Sequence, residues 1–476
     1  MSTLTAARPE TRRGPTTGRV APAVAVGALA TALYTLFSWR QWERFETPSW
    51  DLGIFTQVLR TYAELRTPVV PIKGEEFMIL GDHFHPLLVV LAPFYALFPS
   101  GMTLLAAQAV LVGLSVAVVT ACAVRHLGRW TGTGIGLAYM LSWGLQSAVA
   151  SQFHEVALAL PLLALSLAAL VRRRHRAAAL WSLPLLLVKE DLGLTVAAIG
   201  VVILIRGSRR LGAALTAGGV AAFVLTTDVI LPALNPDGVW AYGDDSIVSL
   251  LLSDPGAAID GLLTGVGPKT LLVLAVFGVT GFLALRSPLA LVTLPTFAWR
   301  LTSDVPFHWS THWHYSAVLM PIVFLALVDA LVSSPRMKAT APWIASIAVL
   351  FALVATTQFP LWRLTDPVTY TDSRQADGAR EALALIPDGA VVDSDISLLA
   401  YLAPHTQVYW VGNNANPVPD YVVLNQHSGS YNTPPRDVVA YASDHFPGEE
   451  FTEVLDLDGY LVAQHVPTMT PQPGAS

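Results

Sequence analysis

Five short polar segments in an otherwise apolar chain carry side chains that can move protons or bind phosphate. Three acidic residues in these segments, Asp51, Glu155 and Glu190, are the candidate catalytic groups. A carboxylate can accept the proton of a hydroxyl group as that hydroxyl attacks a substrate. The other candidates are predicted to bind substrate, and they are Gln57, Asp82, His83, His85, His154, Lys189, Asp191, Arg300, His308, His312 and His314.

Asp51 has two interpretations that the sequence leaves open. It directly precedes a predicted helix at Leu52–Leu65, so its carboxylate would cap the first turn. It would also suit a proton transfer, because capping does not exclude catalysis. A helix N-terminus favours a negative charge, so we expect a low pKa for Asp51.

Pairs of histidines in these segments would suit a divalent metal ion. His83 and His85 face the same side only in an extended segment, whereas His308 and His312 share a face only if their segment is helical. The alternative is that these histidines are structural. Residues 363–476 contain no glycine-rich dinucleotide motif, phosphate-binding loop or Cys/His metal spacing, so no cofactor is assigned to them. A divalent metal at the histidines stays open as the one possible cofactor.

Two cations stand out among the candidates. Lys189 and Arg300 lie near the ends of apolar runs, where a cation is costly unless it meets an anion such as a lipid phosphate. The competing interpretation of Lys189 is a simple ion pair with its neighbour Glu190.

The elements that must position these residues are membrane helices. The chain of 476 residues is 53% hydrophobic and only 13% charged, with a mean hydropathy of +0.52. Such a composition predicts a polytopic all-α membrane bundle of roughly 11 helices. The apolar runs lie near 20–39, 102–124, 131–149, 155–171, 177–188, 192–205, 211–233, 270–285, 287–299, 314–332 and 341–361.

The distribution of charge predicts the orientation of the bundle. Basic residues cluster in alternate short connections, for example at Arg172–Arg174 and at Arg209 and Arg210, and such connections are typically cytoplasmic. We therefore expect a cytoplasmic N-terminus at 1–19 and a membrane domain at 20–362. The long first outer loop is predicted at 40–101, and Asp244 and Asp245 belong to a further outer connection.

Residues 177–206 are too few for two ordinary spans, which need about 20 residues each. One long helix would bury Lys189, Glu190 and Asp191 in the membrane and reverse all later loops. The charge distribution instead favours two short helices that meet at Lys189–Asp191. Charged backbone at this depth is tolerated where it lines a water-filled cavity, which indicates a recess open to the outside.

From residue 363 the chain is predicted to form a small extracytoplasmic α/β domain with a flexible tail. A helical pattern at Ala379–Ile386 precedes strand-like segments at 390–392, 407–411 and 421–424. Asp458-Gly459, between two further strand-like segments, is a hairpin signal.

Several of these motifs resemble those of a known family. Trp50–Gln57, Asp82–Pro86, Phe153–Glu155 and Lys189–Gly193 are similar to successive motifs of the domain of unknown function 2079, a family of bacterial polytopic membrane proteins. More distantly, a long first outer loop with an early acidic residue resembles the GT-C superfamily of glycosyltransferases. That resemblance implies that Asp51 is a base or metal ligand, although the loop lacks the Asp-x-Asp pattern.

The resemblance implies an extracytoplasmic glycosyltransferase that uses a polyprenyl-phosphate-linked sugar donor. Its expected partners are this donor and the membrane lipids of the cell membrane, with no nucleic acid and no assigned oligomeric state. Two other classes stay open: a transporter or lipid flippase with a charged mid-membrane site, and a non-catalytic membrane scaffold. Inverted repeats would favour transport, and none is evident in the sequence.

Overall fold

The computed structural model describes residues 17–47, 49–242, 254–429, 431 and 433–467. The basic segment 1–16, the predicted outer pair Asp244 and Asp245, and the tail from residue 468 lie outside the described residues. The helices of the first half are α1 Thr17–Glu43, α2 Ser49–Ala63, α3 Ala92–Leu97, α4 Gly101–Leu127, α5 Arg129–Met140, α6 Trp143–Ala150, α7 Ala159–Val171, α8 His175–Ser182, α9 Leu192–Ile205, α10 Arg209–Leu225 and α11 Leu231–Leu234.

The second half of the chain contains both helices and strands. Its helices are α12 Pro255–Leu263, α13 Val266–Gly278, α14 Leu294–Thr302, α15 Pro306–Trp309, α16 Leu319–Val332, α17 Pro335–Thr356, α18 Ala376–Leu385, α19 Leu399–Leu402 and α20 Val438–His445. The strands are β1 Val391–Ser394, β2 Gln407–Trp410, β3 Tyr421–Asn425, β4 Glu450–Leu457 and β5 Tyr460–Val466.

The expected number of about 11 spans is not confirmed. Among the described residues, five helices are long and apolar enough to cross a membrane, or six if the bent pair α12 and α13 is one span. The five are Val20–Glu43, Gly101–Leu127, Arg209–Leu234, His314–Val332 and Pro335–Thr356. Other apolar runs form short helices or single 3₁₀ turns. An apolar run indicates that its residues are buried, but it does not determine how long a helix is.

One of these spans forms the centre of the bundle. Every residue from Leu319 to Leu331 in α16 is buried, and all of them except Asp329 are apolar. A helix with no polar face must be covered on all sides by other elements. The shorter helices α5, α7 and α9 therefore pack within the bundle as parts of its core.

The segment 175–208 is a hairpin and not one long helix. Helix α8 and the 3₁₀ turn Leu183–Leu187 lead to Lys189–Asp191, after which α9 returns. At the open end, the His175 ring nitrogen Nδ1 is hydrogen-bonded to the Ser208 hydroxyl. The three charged residues therefore occupy the tip of the hairpin, as the charge distribution predicted.

The two ends of the bundle differ in their chemistry. At the end with the basic connections, the Arg206 guanidinium donates to the Asp329 carboxylate at 2.5 Å and to the Leu170 carbonyl at 2.6 Å. Ser287 donates to the same Asp329 oxygen at 2.6 Å. Helices α7, α9 and α16 run from this end to the opposite end, where the acidic and histidine-rich segments lie.

The C-terminal segment forms one five-stranded sheet in the order β2-β1-β3-β5-β4. Strand β1 is parallel to β2 and β3, whereas β5 is antiparallel to β3 and β4. The predicted hairpin turn joins β4 to β5, and both Asp458 and Gly459 have positive φ, at 54° and 89°.

This sheet packs directly on α2, the helix that carries Asp51. The Gln57 amide donates to the Val408 carbonyl at 2.8 Å, and the Arg60 guanidinium donates to the Thr406 carbonyl at 2.6 Å. The Trp50 and Trp410 rings meet edge to face with centroids 4.8 Å apart. The C-terminal sheet therefore holds α2 in place along both of its halves.

Candidate functional site

Asp51 lies in the first turn of α2 and faces His154, which precedes a 3₁₀ turn at the entry to α7. The distance between Asp51 Oδ2 and His154 Nε2 is 3.2 Å. The Asp51 side chain is 45% exposed, whereas the His154 side chain is 5% exposed. The carboxylate thus faces the recess, with the imidazole buried behind it.

The contacts of His154 fix where its protons lie. Its Nδ1 is 3.0 Å from the Gln152 carbonyl oxygen, which can only accept, so Nδ1 carries a proton. Its Nε2 faces a carboxylate oxygen, so a second proton must lie between the two residues. Burial acts to raise the pKa of Asp51, but the charge and hydrogen bond of His154 outweigh burial and lower this pKa.

A second histidine covers His154 on its face. The rings of His154 and His314 are stacked with centroids 3.5 Å apart. If His154 carries the second proton that it shares with Asp51, a positive charge on His314 at this distance would be strongly repelled. His314 must therefore be neutral. A neutral His314 therefore covers the face of the His154 ring without adding a second positive charge.

Lys189 forms an ion pair with Glu155 and not with Glu190. The distance from Lys189 Nζ to Glu155 Oε1 is 2.8 Å, and the side chains are 18% and 3% exposed. The interpretation of Lys189 as the partner of its neighbour is therefore wrong. The pair joins the tip of the 175–208 hairpin to the entry of α7.

Glu190 instead holds His83 of the first loop. Its Oε1 is 2.7 Å from His83 Nδ1, and its Oε2 accepts the Phe84 backbone N–H at 3.0 Å. The His83 ring stacks on Tyr242 with centroids 4.7 Å apart. No local pattern indicated Tyr242, which lies more than 150 positions after His83 in the chain.

Three further candidates surround these pairs. Asp82 pairs with Lys73 at 2.8 Å, a partner that was not among the predicted residues. His85 is buried against the edge of Phe55, and burial lowers its pKa to about 4. Asp191 follows the pair-forming residues at the hairpin tip, and burial raises its pKa to about 6 despite the nearby Lys189.

Several buried polar atoms around the recess lack a hydrogen-bond partner among the described residues. They are His85 Nδ1, Asp191 Oδ1, His314 Nδ1 and both amide atoms of Gln152, a residue that was not predicted as a site residue. Buried polar groups are nearly always satisfied, and exceptions concentrate at functional sites. Gln152 also has an unusual backbone, with a φ of 72° immediately before the motif that carries His154.

Gln57 and Arg300 do not reach the recess in the manner predicted. The Gln57 amide also accepts the Ile72 N–H at 3.1 Å, so both of its polar atoms serve backbone groups. Arg300 is fully buried and donates to the His308 carbonyl at 2.5 Å, the Ser310 carbonyl at 3.1 Å and the Ser316 hydroxyl at 2.9 Å. Its guanidinium therefore fixes the 303–316 loop.

His308 and His312 do not share a helix face, contrary to the prediction. Helix α15 is only four residues long and ends at Trp309, before His312. His308 Nδ1 is hydrogen-bonded to the Ser303 hydroxyl at 2.7 Å, and the exposed His312 contacts the Ser310 hydroxyl at 3.2 Å. Nowhere in the described ranges do three or more His, Cys, Asp or Glu side chains converge as metal ligands.

Replacing Arg300 by Lys should loosen the 303–316 loop. Lysine keeps the charge but loses the planar fork that reaches three acceptors at once. We expect the free energy of unfolding to fall by about 2 kcal/mol, because buried acceptors lose their donor. Chemical unfolding of the purified protein in detergent measures the effect, with Arg210→Lys on the exposed basic end as the matched control. Equal stability of both variants would show that Arg300 is not needed to hold the loop.

The fold and the site define a multi-pass membrane protein with a charged recess at one end of its helices. The chain belongs to the DUF2079 family of predicted membrane proteins, whose model matches residues 41–449. None of the curated protein sequences matches it.

The fold is similar to that of ArnT from Cupriavidus metallidurans. The crystal structure of ArnT bound to undecaprenyl phosphate aligns with a TM-score of 0.52 and 15% identity, covering 96% of this chain and 100% of that chain. The apo-state structure aligns with a TM-score of 0.44 and 15% identity, covering 87% and 92%. The first alignment supports the more distant resemblance to GT-C glycosyltransferases at the level of the fold.

Proposed function

We propose that this protein is a membrane glycosyltransferase that takes its sugar from a polyprenyl-phosphate-linked donor. The observation that carries the proposal is the Asp51 carboxylate, which is 45% exposed and lies 3.2 Å from the buried His154 imidazole. Lys189 and Glu155 lie close enough to act on the charge of Asp51. The similar fold of ArnT, a protein seen bound to undecaprenyl phosphate, supports the choice of a lipid phosphate.

The residues of the recess supply the groups that such a transfer needs. The Asp51 oxygen that does not face His154 takes the proton of the acceptor hydroxyl, whose oxygen attacks the anomeric carbon. The bond from that carbon to the phosphate oxygen breaks, and its electron pair leaves with the lipid phosphate. Lys189 stabilises the charge that grows on this phosphate.

An open pocket beside the recess has a mostly apolar lining, which suits the lipid. It has a volume of about 420 Å³ and is lined by Ala150, Ser151, Pro306, Phe307, Ser310, His312 and Trp313. Ser151 donates to the His312 carbonyl at 3.2 Å, and two residues later His314 stacks on His154. We assign this pocket to the first isoprenoid units of the donor, which are apolar.

The test is an in vitro assay of the purified protein with a panel of polyprenyl-phosphate sugars and cell-envelope acceptors. Transfer of sugar, with release of the free lipid phosphate, is the expected result. Movement of a fluorescent lipid across proteoliposomes without transfer would support the transporter or flippase instead. A transporter would also need a path that opens at the basic end of the bundle. The buried Arg206–Asp329 pair argues against such a path, because it joins α9 to α16 at that end. If the protein shows neither sugar transfer nor lipid movement, the result would support the non-catalytic membrane scaffold.

The proposed reaction requires the recess and the C-terminal domain to lie outside the cytoplasm. A cysteine replacing the exposed Ser443 should then react with a membrane-impermeant thiol reagent in intact cells. A cysteine replacing the exposed Ala339, next to the basic connection, should react only after the membrane is permeabilised. The native Cys122 is buried and provides the background. The reverse labelling pattern would place the recess in the cytoplasm.

A further inference from the structure

The recess contains two histidine–carboxylate pairs whose exposure is reversed. In the pair of His154 and Asp51 the carboxylate is the exposed partner, at 45% against 5%. In the pair of His83 and Glu190 the imidazole is the exposed partner, at 28% against 2%. One pair therefore presents a carboxylate oxygen to the recess, and the other presents an imidazole.

The contacts of His83 determine which of its atoms is available. Nδ1 lies 2.7 Å from the Glu190 carboxylate, so Nδ1 carries a proton and donates it. Glu190 is held in turn by the Phe84 N–H, and the ring is stacked almost parallel to Tyr242, at 8°. These contacts fix the plane of the ring and leave Nε2 as the nitrogen that can donate a hydrogen bond to a ligand.

We propose that His83 is a phosphate-binding residue, whose Nε2–H donates a hydrogen bond to the phosphate of the lipid-linked donor. The proposal deepens the glycosyltransferase function and rests on it. Phosphate is preferred over a metal ion because no three His, Cys, Asp or Glu side chains in the described ranges converge as metal ligands, whereas the Lys189 cation acts on His83 from nearby. The histidine and Lys189 would thus bind the same anionic group.

The charges around His83 favour the protonated imidazole that this role needs. Burial acts to lower the pKa of His83, but the adjacent Glu190 carboxylate outweighs it, and the pKa is raised overall. Lys189 lowers this pKa and Asp82 raises it to a smaller extent. A phosphate placed at Nε2 would favour the charged form further, so binding and protonation reinforce each other.

The proposed role of His83 agrees with where the proton and the electron pair go in the sugar-transfer step. The acceptor proton goes to Asp51, and the electron pair of the broken bond goes to the phosphate oxygen. His83 keeps its proton and only strengthens its hydrogen bond as the phosphate gains charge. No further reactant is needed.

The experiment measures binding of a polyprenyl phosphate to the full-length protein in detergent between pH 6 and pH 9. We expect His83→Gln to weaken binding about tenfold, the scale of a hydrogen bond to a charged group. Wild-type affinity should fall as the pH rises through the raised pKa of His83. His83→Gln should lose that step, and Glu190→Gln should move it to lower pH, because the carboxylate that raises the pKa is gone.

The matched control is His405→Gln, at an exposed histidine of the C-terminal domain, which should bind like the wild type. The ionisation of the lipid phosphate itself is common to all variants and cancels in the comparison. If wild-type protein binds but His83→Gln shows the same affinity and pH profile, the phosphate-binding role of His83 is wrong and the proposed function stands. If wild-type protein does not bind the lipid at all, both are overturned.

Discussion

Asp51→Asn should reduce sugar transfer by about two to four orders of magnitude while the protein stays folded. Asparagine keeps the size of aspartate, so the packing at the first turn of α2 should be retained. It cannot accept a proton, and its amide would donate to His154 Nε2, so His154 would lose the second proton that the aspartate imposes. The measurement is the transfer rate of the purified variant, with its melting temperature as evidence of folding.

The matched control is Asp377→Asn, an exposed acid in the first turn of α18 that lies in the C-terminal domain. It should transfer sugar at the wild-type rate. Helix α2 begins at Ser49 and not at Leu52, so Asp51 lies in its first turn and does not precede it as the sequence predicted. Near-normal turnover of folded Asp51→Asn would show that Asp51 serves only to hold His154 in place. The search for the base would then move to Glu155 and Glu190, which in this structure are occupied by Lys189 and His83.

The lowered pKa of Asp51 also predicts the acid side of the pH profile. A group with a lowered pKa keeps its charge until the pH falls below its ordinary range, so Asp51 is ionised at neutral pH. We expect the rate to stay constant from neutral to mildly acidic pH as far as Asp51 is concerned. The rate should decline only where the carboxylate becomes protonated, at a pH below the ordinary pKa of an aspartate.

The sequence predicted which polar segments form the candidate site, because charged residues inside an apolar chain are costly unless they are paired or functional. Asp51, His83, His154, Lys189 and their neighbours come from four distant segments, and the structure brings these segments together at one end. The tip of the 175–208 hairpin was also predictable, since the positive charges of the basic connections fix which ends lie on the same side.

The pairing of the charges was not predictable. Lys189 sits next to Glu190 in the chain, but backbone geometry at the hairpin tip sends it to Glu155 instead. Arg300 seemed a free cation at a helix end, yet carbonyls of the following loop surround its guanidinium. Both outcomes depend on packing between distant segments, about which a local pattern carries no information.

The second large effect concerns the buried ion pair of Lys189 and Glu155. Lys189→Met should lower the free energy of unfolding by about 3–5 kcal/mol, because it leaves the Glu155 carboxylate buried without its partner. The double variant Lys189→Met/Glu155→Leu should recover most of this stability, since an apolar pair avoids the cost of removing two charges from water. Unfolding of each purified variant in detergent gives the comparison.

The double variant separates the structural role of Lys189 from its proposed role at the phosphate. It should fold stably yet bind polyprenyl phosphate weakly, because the cation that faces the anion is gone. Arg380→Met, which removes a cation from an exposed ion pair with Asp377, should change neither stability nor binding noticeably. A stable double variant with wild-type affinity would mean that Lys189 serves only to neutralise Glu155, and the phosphate would have to be held by His83 and its neighbours alone.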